Sequence, residues 1–256
     1  MTILIFSILG LFVGSFLNVC IDRLPEDKSI VSPPSSCAAC GRRLTVRDLI
    51  PLVSYIWLRG KCRYCGEHIS LRIPIVEGLT AIVFGFLAWN FGMGLELAVY
   101  LIFSSFLLVI LFIDLEHQLI LDVVTYPGII VAIIISFFWT GVRPFYIFLP
   151  NLGVENALLG ALAGSVMLGI PYVLARSRGG MGFGDIKLGF LLGLMTGFPM
   201  VIMAIIISWI SGGVIAGVLL AFKIKGRKDA IPFAPFLVMG AWIVLVWGNI
   251  LLDWYI

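Results

Sequence analysis

Two sets of residues in this chain have types and spacing that could do chemistry: a pair of aspartates in apolar surroundings, and four cysteines in two close pairs. Asp185 sits within "GGMGFGDIKLGF" (179–190), at the start of a long apolar run, and Asp114 closes another, "LLVILFID" (107–114). A carboxylate placed at the centre of a membrane helix costs about 2.5–3.5 kcal/mol on insertion scales, so such residues usually face a bundle interior or a wet cavity. Two of them meeting there form a dyad. One, ionised, takes a proton from water, while the other, protonated, polarises a scissile carbonyl. Crowding them forces the pair to share a proton and to titrate in two macroscopic steps. Taken singly, each has a plainer reading: Asp185 as the cap of a helix beginning at Ile186, and Asp114 as the interfacial end of a span. Gly182 and Gly184 leave the backbone before Asp185 bare, so a substrate chain or a neighbouring helix can approach closely.

Other polar residues nearby read as supporting. Glu116 and His117 form a solvated turn. Asp122 reads as a helix N-terminal charge favoured by the macrodipole, with membership of the acid site as the alternative. Lys187 either pairs with an acid or anchors at the lipid interface.

The cysteines stand as Cys37-Ala-Ala-Cys40 and Cys62-Arg-Tyr-Cys65, with 21 residues between the pairs. Two such knuckles bring four thiolates into the tetrahedral arrangement that Zn²⁺ prefers. The gap is one residue longer than the usual template. Gly41 and Gly66 follow the two knuckles and suit tight turns whose amides approach the sulfurs. The competing reading is a pair of disulfides. A filled set of four cysteines has no vacant ligand position, so the expected metal is structural. His68 is expected as a surface imidazole outside the site.

The elements that must position these residues are membrane helices. The 256-residue chain is 61% hydrophobic and 12% charged, about half the charged share of a soluble domain. Runs of about 20 apolar residues predict eight spans near 2–20, 73–91, 95–114, 119–139, 155–175, 184–198, 199–222 and 232–252. They are too long and leucine-rich for the strands of an outer-membrane barrel. The expected fold is therefore an all-α polytopic membrane protein with about eight transmembrane helices and a small zinc-binding domain between the first two. The expected division is 1–20 as the first helix, 21–72 as the cysteine segment and 73–256 as a seven-helix membrane domain. No basic residue precedes the first span, and bulky Val19 precedes Cys20, so a retained helix is expected rather than a cleaved signal.

With eight spans, sixteen of the 17 basic residues fall on one side. Nine lie in 21–72, three are Arg176, Arg178 and Lys187, and four are Lys223, Lys225, Arg227 and Lys228; Arg143 stands alone opposite. The excess marks the cytoplasmic side and leaves both termini outside. It also puts the cysteines in a reducing compartment, which favours zinc over disulfides. A segment of about 50 residues buries little core and gains from a metal staple. Asp114, ending span three, and Asp185, opening span six, fall at the same depth although 71 residues apart. The net charge of +3 is too small to suggest a nucleic-acid partner.

Read together, these stretches resemble the bacterial type IV prepilin peptidase family, the leader peptidase/N-methyltransferases, which are intramembrane aspartyl proteases with a Gly-x-Gly-Asp element. The resemblance runs nearly end to end, through "GSFLNVCIDRLP" (14–25), the cysteine box, "IPLVSYIWLRGKCRYC" (50–65), "RIPIVEGLTA" (72–81), "IDLEHQLILD" (113–122), "GGMGFGDIKL" (179–188) and "IPFAPFL" (231–237). It implies that Asp114 and Asp185 are the catalytic pair and that the substrate is a prepilin or pseudopilin of a pilus or secretion system. The short basic leader would be cut after a glycine at the cytoplasmic face of the inner membrane. It further implies N-methylation of the new terminal residue with S-adenosylmethionine, an activity the family associates with the position of Gly60. The chain departs from the family pattern at Ile120-Leu121-Asp122, where Leu-Pro-Asp is usual, and at Ala234, where glycine is usual. Rival readings are a presenilin-like protease with another substrate, which the cysteine box opposes, and an ion-coupled transporter. The transporter would show paired broken helices and compensating charge deep in the spans. A membrane scaffold would leave the shared depth of the two acids unexplained.

Overall fold

The computed structural model describes residues 1–138, 153–175, 182–224, 226 and 231–255. Among these the chain is helical: α1 (Thr2–Arg23), the short α2 (Val53–Trp57), α3 (Arg72–Phe91), α4 (Leu95–His117), α5 (Asp122–Phe138), α6 (Gly153–Ala175), α7 (Phe183–Thr196), α8 (Met200–Ala221) and α9 (Ala234–Tyr255). No strand occurs among the described residues, and extended pairing is limited to the bridges Ser36–Arg43 and Lys61–His68. Each of the eight expected spans has its helix. Five are long and apolar enough to cross a bilayer: Thr2–Glu26, Arg72–Phe91, Leu95–His117, Gly153–Leu174 and Met200–Ala221. Helix α5 is apolar but shorter. Helix α7 has 14 residues, about 21 Å of rise against a hydrocarbon core of about 30 Å.

Two boundaries differ from expectation for local reasons. Helix α4 runs on through Glu116 and His117, so these residues form a last helical turn rather than a loop. It ends because Gln118 turns left-handed, with φ 54°, while its N–H still donates to the Asp114 carbonyl at 2.9 Å. Helix α5 then starts at Asp122, later than 119, with the Leu121 carbonyl accepting from both the Thr125 N–H and its hydroxyl. The break between α7 and α8 falls where Pro199 suggests. Gly197 at φ +75° closes α7, and Pro199 is the N-cap of α8. The basic residues Arg143, Arg176, Arg178, Lys225, Arg227 and Lys228 lie outside the described residues.

The chain forms two compact units, Met1–Val109 and Ile110–Ile256. In the first, α1 packs along α3. Gly10 and Gly14 make that approach possible, since a Cβ on either would come within 2.7–2.8 Å of the α3 backbone at Ala81 or Glu77. In the second, α6 packs on α7 and α8 on α9. The α6–α7 seam is built from two facing Gly-x-x-x-Gly pairs in antiparallel register. A Cβ on Gly160 would lie 2.4 Å from the Gly193 carbonyl oxygen, and one on Gly164 would lie 2.3 Å from that of Gly189. In a membrane, where lipid tails are as apolar as leucine, association rests on this sort of backbone-to-backbone packing. The seam holds α7, and with it Asp185, against α6.

Candidate active site and metal centre

The last turn of α4 carries Asp114, and the first turn of α7 carries Asp185. Both are buried, at 6% and 9% exposure, on elements that adjoin: Gly184, next to Asp185, packs on Ile120 of the connection that follows α4, and α7 packs on α9. Each gives one carboxylate oxygen to a backbone amide. The Ala234 N–H, at the start of α9, donates to Asp114 Oδ2 at 3.0 Å. The Gly182 N–H donates to Asp185 Oδ2 at 3.1 Å. Asp185 is thus the third residue of its helix reaching back to the N-cap amide, which is half of a capping box. Among the described residues the second oxygen of each acid holds no hydrogen bond. Capping therefore occupies half of each carboxylate and leaves the other half available to water or a substrate carbonyl.

The two glycines before Asp185 differ. A Cβ on Gly184 would come 2.9 Å from Ile120 Cβ, so that bare backbone admits the α4–α5 connection. At Gly182 the nearest atoms lie at 3.8 Å or beyond, and the position is exposed. Asp122 stands outside the pair. It takes Lys187 Nζ on Oδ1 at 2.5 Å and ties α5 to α7, while the ammonium also lies 5.2 Å from the Phe183 ring and 5.4 Å from the Tyr126 ring. Pairing, then, is the role Lys187 takes.

The four cysteines converge. Cys37, Cys40, Cys62 and Cys65 are free thiols whose sulfurs all lie within 4.8 Å of one another. Cys37 Sγ and Cys65 Sγ are 3.8 Å apart, about the edge of a tetrahedron with 2.3 Å metal–sulfur bonds. This cluster could hold a metal ion. The two knuckles are built alike. In one, the Cys37 N–H donates to the Arg42 carbonyl at 3.0 Å and the Gly41 N–H to Cys37 at 2.9 Å. In the other, the Cys62 N–H donates to Glu67 at 2.7 Å and the Gly66 N–H to Cys62 at 3.0 Å. Gly41 and Gly66 have φ of +67° and +74° with open space around them, so backbone conformation requires glycine there. The amides of Cys40 and Ala39 pull the Cys37 thiol down to about 7. At Cys65 the Glu67 amide also pulls down, but burial and the neighbouring thiols outweigh it and push the group up to about 12. His68 is exposed and lies outside the cluster.

Asp48 braces the second knuckle. It accepts from the Thr45 hydroxyl at 2.6 Å, the Thr45 N–H at 3.0 Å and Arg63 Nε at 2.7 Å, and the Thr45 hydroxyl, together with Arg63, holds its carboxyl below the usual range.

Residues 8–91 match the bacterial peptidase A24 N-terminal domain, and residues 101–217 match the type IV leader peptidase family. Among the similar proteins is a prepilin leader peptidase/N-methyltransferase from Xanthomonas campestris, 35% identical over 97% of this chain and 92% of its own length. Proteins of the same name from Bacillus subtilis and Pseudomonas putida are each 32% identical, covering 98% and 95% of this chain and 97% and 90% of theirs. The chain belongs to the type IV leader peptidase family. No solved structure matches it.

Two parts of this family member escaped the sequence reading. Ala234, which stands where glycine is usual in the family, acts through its backbone amide on Asp114, so the added methyl leaves that contact in place. Glu77 is a buried acid inside α3. Its Oε2 accepts the Leu52 N–H at 2.8 Å, at a point where Leu52 is held at φ 58°. One helical turn away, Asn18 Nδ2 donates to the Ile73 carbonyl at 3.1 Å. A lone acid in an apolar run was the available signal.

Proposed function

We propose that this chain cleaves the short basic leader from type IV prepilins or pseudopilins, with Asp114 and Asp185 as the catalytic pair, and then N-methylates the new terminal residue. The observation that carries the proteolytic reading is a pair of buried carboxylates on adjoining elements of one compact unit, each with one oxygen held by a backbone amide and the other uncommitted. In that arrangement the ionised member accepts a proton as water attacks the scissile carbonyl. The protonated member donates to the carbonyl oxygen; as the C–N bond then breaks, the proton taken from water passes to the leaving amine and the new hydroxyl returns its proton to the second carboxylate, restoring the pair. Family membership supports the choice of a prepilin leader as substrate.

The rest of the assignment follows from the same reading. On this reading residues 1–20 are the first of eight spans, 21–72 a cytoplasmic segment and 73–256 the peptidase domain in the inner membrane, with both termini outside, an orientation supported by the one-sided distribution of basic residues. Cys37, Cys40, Cys62 and Cys65 hold one structural Zn²⁺, a choice supported by the all-thiol donor set and its tetrahedral edge. S-adenosylmethionine would supply the methyl group.

Cleavage of a prepilin in detergent by wild type, Asp114→Asn and Asp185→Asn tests the dyad. Each variant is expected to insert and fold while losing cleavage by at least about 10²-fold, the lower end for a general acid or base. Asp122→Asn is expected to keep most of its activity. Retained cleavage in either folded dyad variant would overturn the assignment.

A further inference from the structure

The cysteine segment carries an apolar surface that its own fold leaves uncovered. Val46, Val53, Ile56 and Trp57 are 83%, 53%, 72% and 81% exposed, and they lie on α2 and on the turn Val46–Leu49 that packs beside it. Basic residues surround them in sequence. Arg43, Arg47, Arg59 and Lys61 are all exposed, and among the described residues none pairs with a carboxylate. Three of the five acids in 21–72 are engaged elsewhere, Asp22 with Arg72, Glu26 with Lys28 and Asp48 with Arg63, which leaves Asp27 and Glu67 in a segment of nine basic residues.

The depth of this surface is fixed by the Leu52 N–H to Glu77 hydrogen bond. Glu77 lies five residues into α3, about 7.5 Å along its axis, and α2 begins at the very next residue, Val53. The residue before the exposed helix is thereby seated beside the second turn of a membrane helix. The exposed aromatic and aliphatic side chains therefore start at interfacial depth, with cations close by. Tryptophan favours that depth, and a basic face with apolar neighbours is what an anionic bilayer surface attracts.

We propose that residues 43–61 form an interfacial anchor, with Val46, Val53, Ile56 and Trp57 inserted at headgroup level and Arg43, Arg47, Arg59 and Lys61 on anionic lipid phosphates. The anchor holds the cysteine segment down on the membrane surface. It stands independently of the peptidase assignment, because its test needs no turnover.

The test uses the full chain in nanodiscs of phosphatidylcholine, with or without phosphatidylglycerol, carrying a nitroxide at headgroup level. The chain has 7 Trp, so the Trp57 signal is the difference between wild type and Trp57→Phe. That difference signal is expected to be more than halved by the nitroxide in anionic discs, and to be quenched less in neutral discs. The triple variant Arg47→Gln, Arg59→Gln, Lys61→Gln, which alters only exposed side chains, should lose the dependence on phosphatidylglycerol, each lost charge weakening the contact by up to about fivefold. Trp57 left unquenched in anionic discs, or equally quenched in both, would overturn the proposal. So would Trp57 becoming shielded only when a prepilin is added, which would give the surface to the substrate.

Discussion

Each cysteine knuckle is held by the same pair of backbone hydrogen bonds and closed by a left-handed glycine, and together the two knuckles bring four sulfurs into one cluster. Freshly purified, reduced protein is accordingly expected to carry about one zinc per chain by elemental analysis. Serine at any of Cys37, Cys40, Cys62 or Cys65 should lower that content, whereas Cys20→Ser should not, since Cys20 is buried in α1. An absence of metal in the wild type would count against the centre. This cluster was legible in the sequence because the spacing within a knuckle is a local constraint. The aspartates were legible because a carboxylate in an apolar run is costly enough to stand out. Glu77 and the Ala234 amide were not. Glu77 is one acid with no obvious mate, and its partner is a backbone N–H exposed by a left-handed leucine. A backbone amide has no letter in the sequence at all.

Among the elements, α7 has the most exacting position, because it carries Asp185 and is too short to be placed by length alone. Its seam with α6 places it instead. Alanine at Gly193 would bring Cβ within 2.1 Å of the Gly160 carbonyl oxygen. Backbone cannot yield as a side chain end does, so the helices must part. Gly193→Ala is expected to cost about 1–3 kcal/mol and to reduce cleavage by displacing Asp185 from Asp114. Gly169→Ala, on α6 with nothing within 4 Å, should leave both thermal stability and cleavage near wild type. Equal behaviour of the two variants would mean that the seam does not position the acid. The helices themselves were readable as apolar runs, but their ends were not. The last turn of α4 is polar, "LEH", and continues the helix because a left-handed Gln118 closes it one residue later. Hydropathy measures where a chain prefers lipid, whereas backbone hydrogen bonds decide where a helix stops.

At the scale of the molecule, the two groups of proposed functional residues fall in different compact units. Gly60 and the four cysteines belong to Met1–Val109, and both aspartates belong to Ile110–Ile256. Local damage to the first unit should therefore spare the chemistry of the second. Gly60 is the position at which to test this. Its φ is +69°, which disfavours any side chain, and a Cβ there would lie 2.8 Å from the Tyr55 hydroxyl. Gly60 is also bound into its turn, its N–H donating to the Tyr55 carbonyl at 2.9 Å and its own carbonyl accepting the Ile69 N–H at 2.8 Å. Gly60→Val must push Tyr55 away and strain the link between α2 and the second knuckle, since a β-branched residue tolerates positive φ poorly. The expected outcome is a folded protein that still removes the leader but methylates the new terminus far less. Mass spectrometry of a processed pilin reads both events at once, as loss of the leader mass and as gain of one methyl group. Zinc content and thermal stability of the same preparation show that the variant remains assembled. A folded Gly60→Val protein that methylates a supplied mature terminus normally but no longer cleaves prepilin would reverse the division. Methylation would then have to be assigned outside the cysteine segment.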